Sequence, residues 1–433
     1  MTWFKGAGLG LFVHWDHASR QGLEIGWSIA GEPRLGDRPI HEFIEAVPQA
    51  RTANIFHGRL RQVTLDEYNS SAPAFDPQEW DPVALAALAK RAGVQYAVLT
   101  TKHHSGYSMF HTATSKHSIE HSAYRKDIVR QFADAMRAAG IRVGFYFSLA
   151  DWSHPDYPRL TPDLLPYRFA QTPPFPGEER WKRFRDDMFK QLRELLSNYG
   201  PIDLIWFDGG WERTPEMWQS NEVEALIRSL QPEIVLNDRL PGVDGYKTPE
   251  QFIPATASAE PWEACMTIGE SWGYDPDDTE LKNAREIIHR LVEVVSRGGN
   301  LLLNVSPMGS GALPSTQIER LQALAAWMER HRDSVIGVEP GLEAWQFGGM
   351  STRRGQRVYL ILPFRPYDSV TVRGVPLKSI QAVTCLGSNE TLAYSARFSA
   401  MDAVIGDPSG EIRIEMPERL IDEYATVLAI DLA

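Results

Sequence analysis

The chain has 433 residues, 43% of them hydrophobic and 23% charged. This is ordinary for a water-soluble protein, and long enough for one large domain with a smaller one. The formal net charge is -12 with no basic block, which argues against nucleic acid and anionic membranes as partners. Two cysteines, Cys265 and Cys385, fit neither a disulfide framework nor a zinc spacing.

The N-terminal MTWFKGAGLGLFVHW lacks a basic n-region and a cleavage site, and no run is long enough to span a membrane. A cytoplasmic protein is expected, with export by another route left open. Over residues 1–337, apolar runs alternate with amphipathic stretches. Strands are predicted at Gly10–Trp15, Tyr96–Thr101, Val143–Leu149, Leu204–Asp208, Ile234–Asn237 and Leu301–Val305. Helices are predicted at Pro82–Ala92, Lys126–Ala139, Glu179–Tyr199, Glu222–Leu230, Asp278–Ser296 and Pro314–Arg332. The alternation favours an α/β fold built as a (β/α)8-like, TIM-type barrel over an open doubly wound sheet. No GxGxxG or P-loop follows a strand. Pro48–Gln62 and the proline-rich Arg159–Glu178 read as long loops at the barrel mouth.

Over residues 338–433 the pattern changes to short runs separated by Gly, Pro, Asp and Asn. Arg357–Pro363, Ser369–Val375, Ile380–Leu386, Thr391–Phe398, Glu411–Glu415 and Ala425–Asp431 predict an antiparallel β-sandwich with no helix. Its expected role is packing against the barrel, with sugar binding as the alternative.

Barrel strands deliver functional groups at their C-terminal ends. Here those ends read His14-Trp15-Asp16-His17, Thr101-Lys102-His103-His104, Tyr146-Phe147-Ser148, Trp206-Phe207-Asp208 and Asn237-Asp238-Arg239. Any one of them could be structural; Asp208 alone reads equally well as a helix N-cap. Five polar strand ends are hard to explain by stability, because a buried polar group without a partner costs roughly 2–7 kcal/mol. Two chemistries suit the set. One is metal-dependent hydrolysis with His14, Asp16, His17, His103 and His104 as ligands, though the spacing matches no common metal motif. The other is glycoside hydrolysis by two carboxylates, with Asp208 as the fixed one. The 13 tryptophans suit stacking on sugar rings as well as a Trp-rich core.

The motifs GLFVHW, Lys102-His103-His104, Tyr146-Phe147-Ser148, Trp206-Phe207-Asp208-Gly209, Asn237-Asp238-Arg239, Trp262-Glu263, Trp272-Gly273-Tyr274 and the run from Gly298 to Asn304 occur in this order. Together the sequence resembles the retaining α-L-fucosidases of glycoside hydrolase family 29. The resemblance implies an exo-acting enzyme on fucosylated glycans that needs no cofactor or metal. It implies Asp208 as nucleophile. His14, His103, His104 and Arg239 match positions that bind hydroxyls or support the nucleophile. Trp27, with Glu24 nearby, matches a wall reaching the sugar. Tyr146 and Trp206 match the pocket lining, and Trp272 the apolar side where the fucose methyl would lie. A non-catalytic fucose-binding protein on the same scaffold is the alternative.

For the acid/base, the resemblance offers Glu250, in a loop after Asn-Asp-Arg, ahead of Glu263 and more remotely Glu260. Burial and the charge of Asp208 are expected to raise the Glu250 pKa. Two positions depart from the family pattern. Asp16 stands where relatives carry Gly, and Ser105 where they carry Asp; both are expected to be surface substitutions. The linkage, the natural glycan and the oligomeric state are not legible.

Overall fold

A computed structural model describes residues 3–31, 34–35, 38–39, 60–161, 164–165, 167, 173–255, 258 and 260–433. The predicted loop at Pro48–Gln62 falls almost entirely outside the described residues, and Arg159–Glu178 is described in part.

Seven parallel strands form one curled sheet: β1 (Leu9–Val13), β2 (Tyr96–Lys102), β3 (Arg142–Ser148), β4 (Leu204–Asp208), β5 (Val235–Leu236), β6 (Glu263–Thr267) and β7 (Asn300–Val305). Their order is β5-β4-β3-β2-β1-β7-β6. The gap between β5 and β6 is spanned by residues 246–251. Tyr246 bridges Asn237 on one side, while Lys247 and Glu250 bridge Trp262 and Cys265 on the other, all parallel. The Lys247 N–H donates to Pro261 at 3.0 Å and the Gln251 N–H to Cys265 at 2.9 Å. An irregular eighth stretch therefore closes the barrel, as the expected (β/α)8-like fold requires.

Period-two alternation decides which side chains enter the barrel. In β4, Leu204 and Trp206 join an interior cluster with Phe12, Tyr96, Val98, Tyr146 and Leu302. Ile205 and Phe207 point outward into the core beneath the helices. Each such buried side chain contributes about 1.5–3 kcal/mol. Asp208 continues the inward face, at the open end. β6 was not predicted: Glu-Ala-Cys-Met-Thr has a charge at its head and little β-branching, so its pattern is weak.

The six predicted helices form, with shifted ends: α1 (Pro82–Arg91), α2 (Ile128–Ala138), α3 (Glu178–Asn198), α4 (Ser220–Leu230), α5 (Ala284–Ser296) and α6 (Ser315–His331). Asp81 caps α1 through the Ala84 N–H, with proline in its first turn, and Asp127 caps α2. Asn283 and Glu286 make a capping box that starts α5 later than the apolar spacing suggested. In α3, Trp181, Phe184, Met188, Leu192 and Leu195 recur at three- and four-residue spacing and are buried.

The C-terminal strands are β8 (Met350–Arg354), β9 (Arg357–Leu362), β10 (Ser369–Pro376), β11 (Ile380–Cys385), β12 (Tyr394–Arg397), β13 (Ser409–Glu415) and β14 (Thr426–Leu432). β8-β9-β14-β11 lie in one antiparallel sheet and β10-β13-β12 in another. Leu360, Val372, Ile412, Ile414, Leu428 and Ile430 fill the space between them. The outer face of the first sheet, through Tyr359, Ile361 and Val427, joins the barrel's own core. A short helix, Ala400–Ile405, departs from the expected all-β pattern; six residues are too few to show a helical period.

Candidate active site

A cavity of about 250 Å³ opens at the C-terminal ends of the barrel strands. It is smaller than most drug-sized pockets, and suits one small ring rather than a chain. Its walls are Phe12, His14, Trp27, His103, Tyr146, Trp206, Asp208, Trp211, Arg239, Glu250 and Trp272.

Asp208 is 8% exposed. Its Oδ2 accepts the Tyr146 hydroxyl at 2.9 Å and its Oδ1 accepts Arg239 Nη1 at 3.1 Å. His104 Nε2 lies 3.7 Å from Oδ2. Burial alone would raise this carboxyl. The Arg239 charge and the hydrogen bonds outweigh it, and Asp208 is held below its ordinary range. Gly209 turns the chain at φ 71, where a Cβ would stand 2.9 Å from Ser148 Oγ, so the tight turn that exposes Asp208 needs glycine.

Arg239 lies over the Trp206 ring, 4.5 Å from its centroid. Its Nη2 donates to Glu250 Oε2 at 2.7 Å, while Nη1 holds Asp208. One guanidinium thus sits between the two carboxylates. Both carboxyl groups share a single cation. Glu250 is no free loop residue: it belongs to the irregular closing stretch. The next residue, Gln251, takes φ 61, rare for a residue with a side chain, and its amide is fastened to Thr267 at 3.1 Å.

The histidines are fixed by their other ring nitrogens. Asn304 gives its N–H to the Trp272 carbonyl, so its oxygen accepts His14 Nδ1–H at 2.7 Å, leaving His14 Nε2 as an acceptor. Ser148 donates to Ala150, so it accepts His104 Nδ1–H at 2.7 Å. His103 stacks on Tyr146, 7° from parallel, and its Nδ1 is buried without a partner. Burial holds His14 at about 3 and His104 at about 4, and pushes His103 well down, so all three are neutral near pH 7.

Four expectations change. Glu263 is fully buried below the cavity and is not among its walls. It is the first residue of β6, at the closed end of the barrel, where its carboxylate accepts Tyr96, Trp206 and Tyr246. Glu24 does not reach the cavity either. It accepts the Trp272 and Gly273 N–H groups at 2.9 and 3.1 Å, so it holds the wall that Trp272 forms. Burial pushes Glu24 to about 8. Glu260 is exposed and outside the cavity. Asp16 and Ser105, expected at the surface, are 2% and 0% exposed and bonded to each other at 3.1 Å.

His104 stands behind Asp208 rather than in the wall. Among the described residues no three His, Cys, Asp or Glu side chains are grouped to hold a metal ion. His17 turns away to Ser71, at 2.7 Å. Two wall residues were missed. Phe12 was legible, two positions before His14 on the inward face. Trp211 lies beyond the strand in a glycine turn, where no periodicity applies; it faces Trp27 at 6.4 Å and 9°.

Residues 1–333 match the family model described as alpha-L-fucosidase. The chain belongs to the α-L-fucosidase family, glycoside hydrolase family 29. It is 30% identical to the tissue alpha-L-fucosidase of Bos taurus over 91% of this chain and 81% of that one. It is 29% identical to the Homo sapiens tissue enzyme over 96% and 85%. Among solved structures, alpha-L-fucosidase isoenzyme 1 from Paenibacillus thiaminolyticus superposes with a TM-score of 0.81 at 28% identity, covering 100% of this chain and 98% of that one. The Thermotoga maritima alpha-fucosidase in complex with a mechanism-based inhibitor gives 0.75 at 27%, covering 99% and 96%. Family and fold make the chain a glycoside hydrolase, an α-L-fucosidase. No described helix is long and apolar enough to cross a membrane.

Proposed function

We propose that the chain removes terminal α-L-fucosyl units from fucosylated glycans by double displacement, with Asp208 as nucleophile and Glu250 as acid/base. The observation that carries this reading is an ionised carboxylate at the floor of a one-ring cavity, held by Tyr146 and Arg239. The enclosed cavity favours exo action. Neutral His14 accepts a sugar hydroxyl through Nε2. Phe12 and Trp272 supply the dry side for the fucose methyl; a deoxysugar leaves no hydroxyl there to satisfy.

Asp208 attacks C1 and forms the fucosyl-enzyme while Glu250 gives its proton to the leaving oxygen. Glu250 then takes a proton from water, which attacks C1 and frees Asp208. A retaining mechanism calls for the two carboxyl groups about 5–5.5 Å apart, and the shared Arg239 guanidinium keeps both at the same cavity. Glu250 is 37% exposed in its side chain, and it must leave Arg239 to reach the leaving oxygen with its proton.

The test is Asp208→Gly and Glu250→Ala with an aryl fucoside. Asp208→Gly is expected to lose turnover by three orders of magnitude or more, on the order of 4 kcal/mol. Azide is expected to rescue Glu250→Ala and give fucosyl azide of retained configuration. Undiminished turnover in Asp208→Gly, or rescue of Glu263→Ala instead, overturns the assignment.

A further inference from the structure

The segments that form the sugar-facing walls are tied together by a carboxylate that lines no part of the cavity. Asp16 follows His14-Trp15 at the end of β1 and is 2% exposed. Its Oδ1 accepts the Ala18 N–H at 2.7 Å. Its Oδ2 accepts the Tyr68 hydroxyl at 3.0 Å and the Ser105 hydroxyl at 3.1 Å. Ser105 directly follows His103-His104. The Tyr68 hydroxyl in turn accepts the Gly26 N–H at 2.9 Å, and Gly26 directly precedes Trp27.

We propose that Asp16 is a positioning residue that sets the register of three wall segments: the end of β1 with His14, the end of β2 with His103 and His104, and the turn that carries Trp27. It reaches the second through Ser105 and the third through Tyr68.

Two features give this link its purpose. First, the joined segments touch without slack. Gly26 has φ 70, and a Cβ there would lie 2.6 Å from His103 Nδ1. A shift in the Trp27 turn therefore moves His103, and the reverse. Secondly, the hub needs an acceptor only. An N–H and two hydroxyls converge on Asp16, which a carboxylate accepts in full, whereas an amide would turn its NH2 toward one of them. Tyr68 is itself fully buried, so neither hydroxyl has solvent to fall back on.

The proposal rests on the functional reading above only in taking fucose as the ligand. It is tested with the full chain, by titrating L-fucose calorimetrically and by kinetics on an aryl fucoside. Asp16→Asn is expected to weaken fucose binding and raise KM by about tenfold, one lost buried hydrogen bond, while kcat changes less than about threefold. Moving the carboxylate across the hydrogen bond, in Asp16→Gly with Ser105→Asp, is expected to recover most of that loss. Asp16→Gly alone is not. If Asp16→Asn does not fold, Tyr68→Phe removes the hydroxyl that joins Asp16 to Gly26 and carries the same expectation.

A folded Asp16→Asn or Tyr68→Phe that binds fucose within about twofold of the parent overturns the proposal; that difference is under 0.5 kcal/mol. So does a folded swap variant no better than Asp16→Gly. A parent that binds no fucose overturns the pocket reading as well, and is told apart by the parent titration alone.

Discussion

The indole N–H of Trp206 donates to Glu263 Oε1 at 2.9 Å, from β4, which carries Asp208, to the first residue of β6. The same indole supports the guanidinium of Arg239 on its face, and Arg239 holds both Asp208 and Glu250. A fully buried carboxyl group thus bears on Asp208 and Glu250 from beneath, through two side chains.

Glu263→Ala leaves the Trp206 N–H and the Tyr96 and Tyr246 hydroxyls without their acceptor. Each unpaired buried group costs about 1–3 kcal/mol, so the melting temperature is expected to fall by several degrees. The milder Glu263→Gln is expected to fold and to lose about 10- to 100-fold in kcat through misplaced Arg239. That loss should be the same for good and poor leaving groups and untouched by azide. A steeper dependence on leaving-group pKa would show Glu263 to be the acid.

Tyr146 orients Asp208 through a hydrogen bond to a charged acceptor, a type that contributes about 1.5–3 kcal/mol. Tyr146→Phe keeps the ring that stacks on His103 and Trp206. Its kcat/KM is expected to fall about 10- to 100-fold with little change in stability. Activity within a factor of two of the parent would contradict this.

Glu24→Ala removes the acceptor of two backbone N–H groups, those of Trp272 and Gly273. The wall bearing Trp272 should loosen, raising KM for fucosides. The effect is expected to be smaller for a substrate that lacks the C6 methyl, because Trp272 acts on that side. Equal losses for both substrates would place the Trp272 wall elsewhere.

Acid pH acts on the buried histidines. Burial holds His14 and His17 at about 3, and His104 and His117 at about 4, all down from 6.5. Below about pH 6.5 the unfolded chain takes up protons that the folded chain refuses. Stability therefore falls as pH drops from 6.5 toward 4, by about 1.4 kcal/mol per unit for each histidine.

Carboxyls that burial raises act with the opposite sign, Asp16, Asp203 and Glu212 as well as Glu24 and Glu263. Burial raises Glu24 to about 8 and Glu263 to about 7, so their contribution is complete below 4.5 and is lost as pH rises through those values. Stability is expected to peak near pH 6–7, measured by denaturant unfolding from pH 4.5 to 8.5. His17→Gln, outside the pocket, should remove about one histidine's share of the acid slope. An unchanged slope would show that His17 is not the buried neutral group described.

Much of the site was readable in advance because strands obey a period of two. Leu204, Trp206 and Asp208 share one face, as do Phe12 and His14, and a barrel turns that face inward. The run before Asp208 marked the strand, and the Gly-Gly after it marked the strand's end. The exact β4 range was legible for this reason. β6 was not, and without it Glu263 could not be placed at the closed end of the barrel, below the cavity and outside its walls.

The sequence by itself determined the barrel-and-sandwich order, the family and the inward carboxylate, since local periodicity and motif order are properties of neighbouring residues. Only the tertiary structure decided that Glu24 braces a loop, that Arg239 stands between the two carboxylates, and that Asp16 and Ser105 share a buried hydrogen bond. These are contacts across tens to hundreds of positions: Glu24 meets Trp272 248 residues away, and Asp16 meets Ser105 89 away. Such pairings are fixed by how strands close into a ring, and no local pattern encodes which side chains that closure brings face to face.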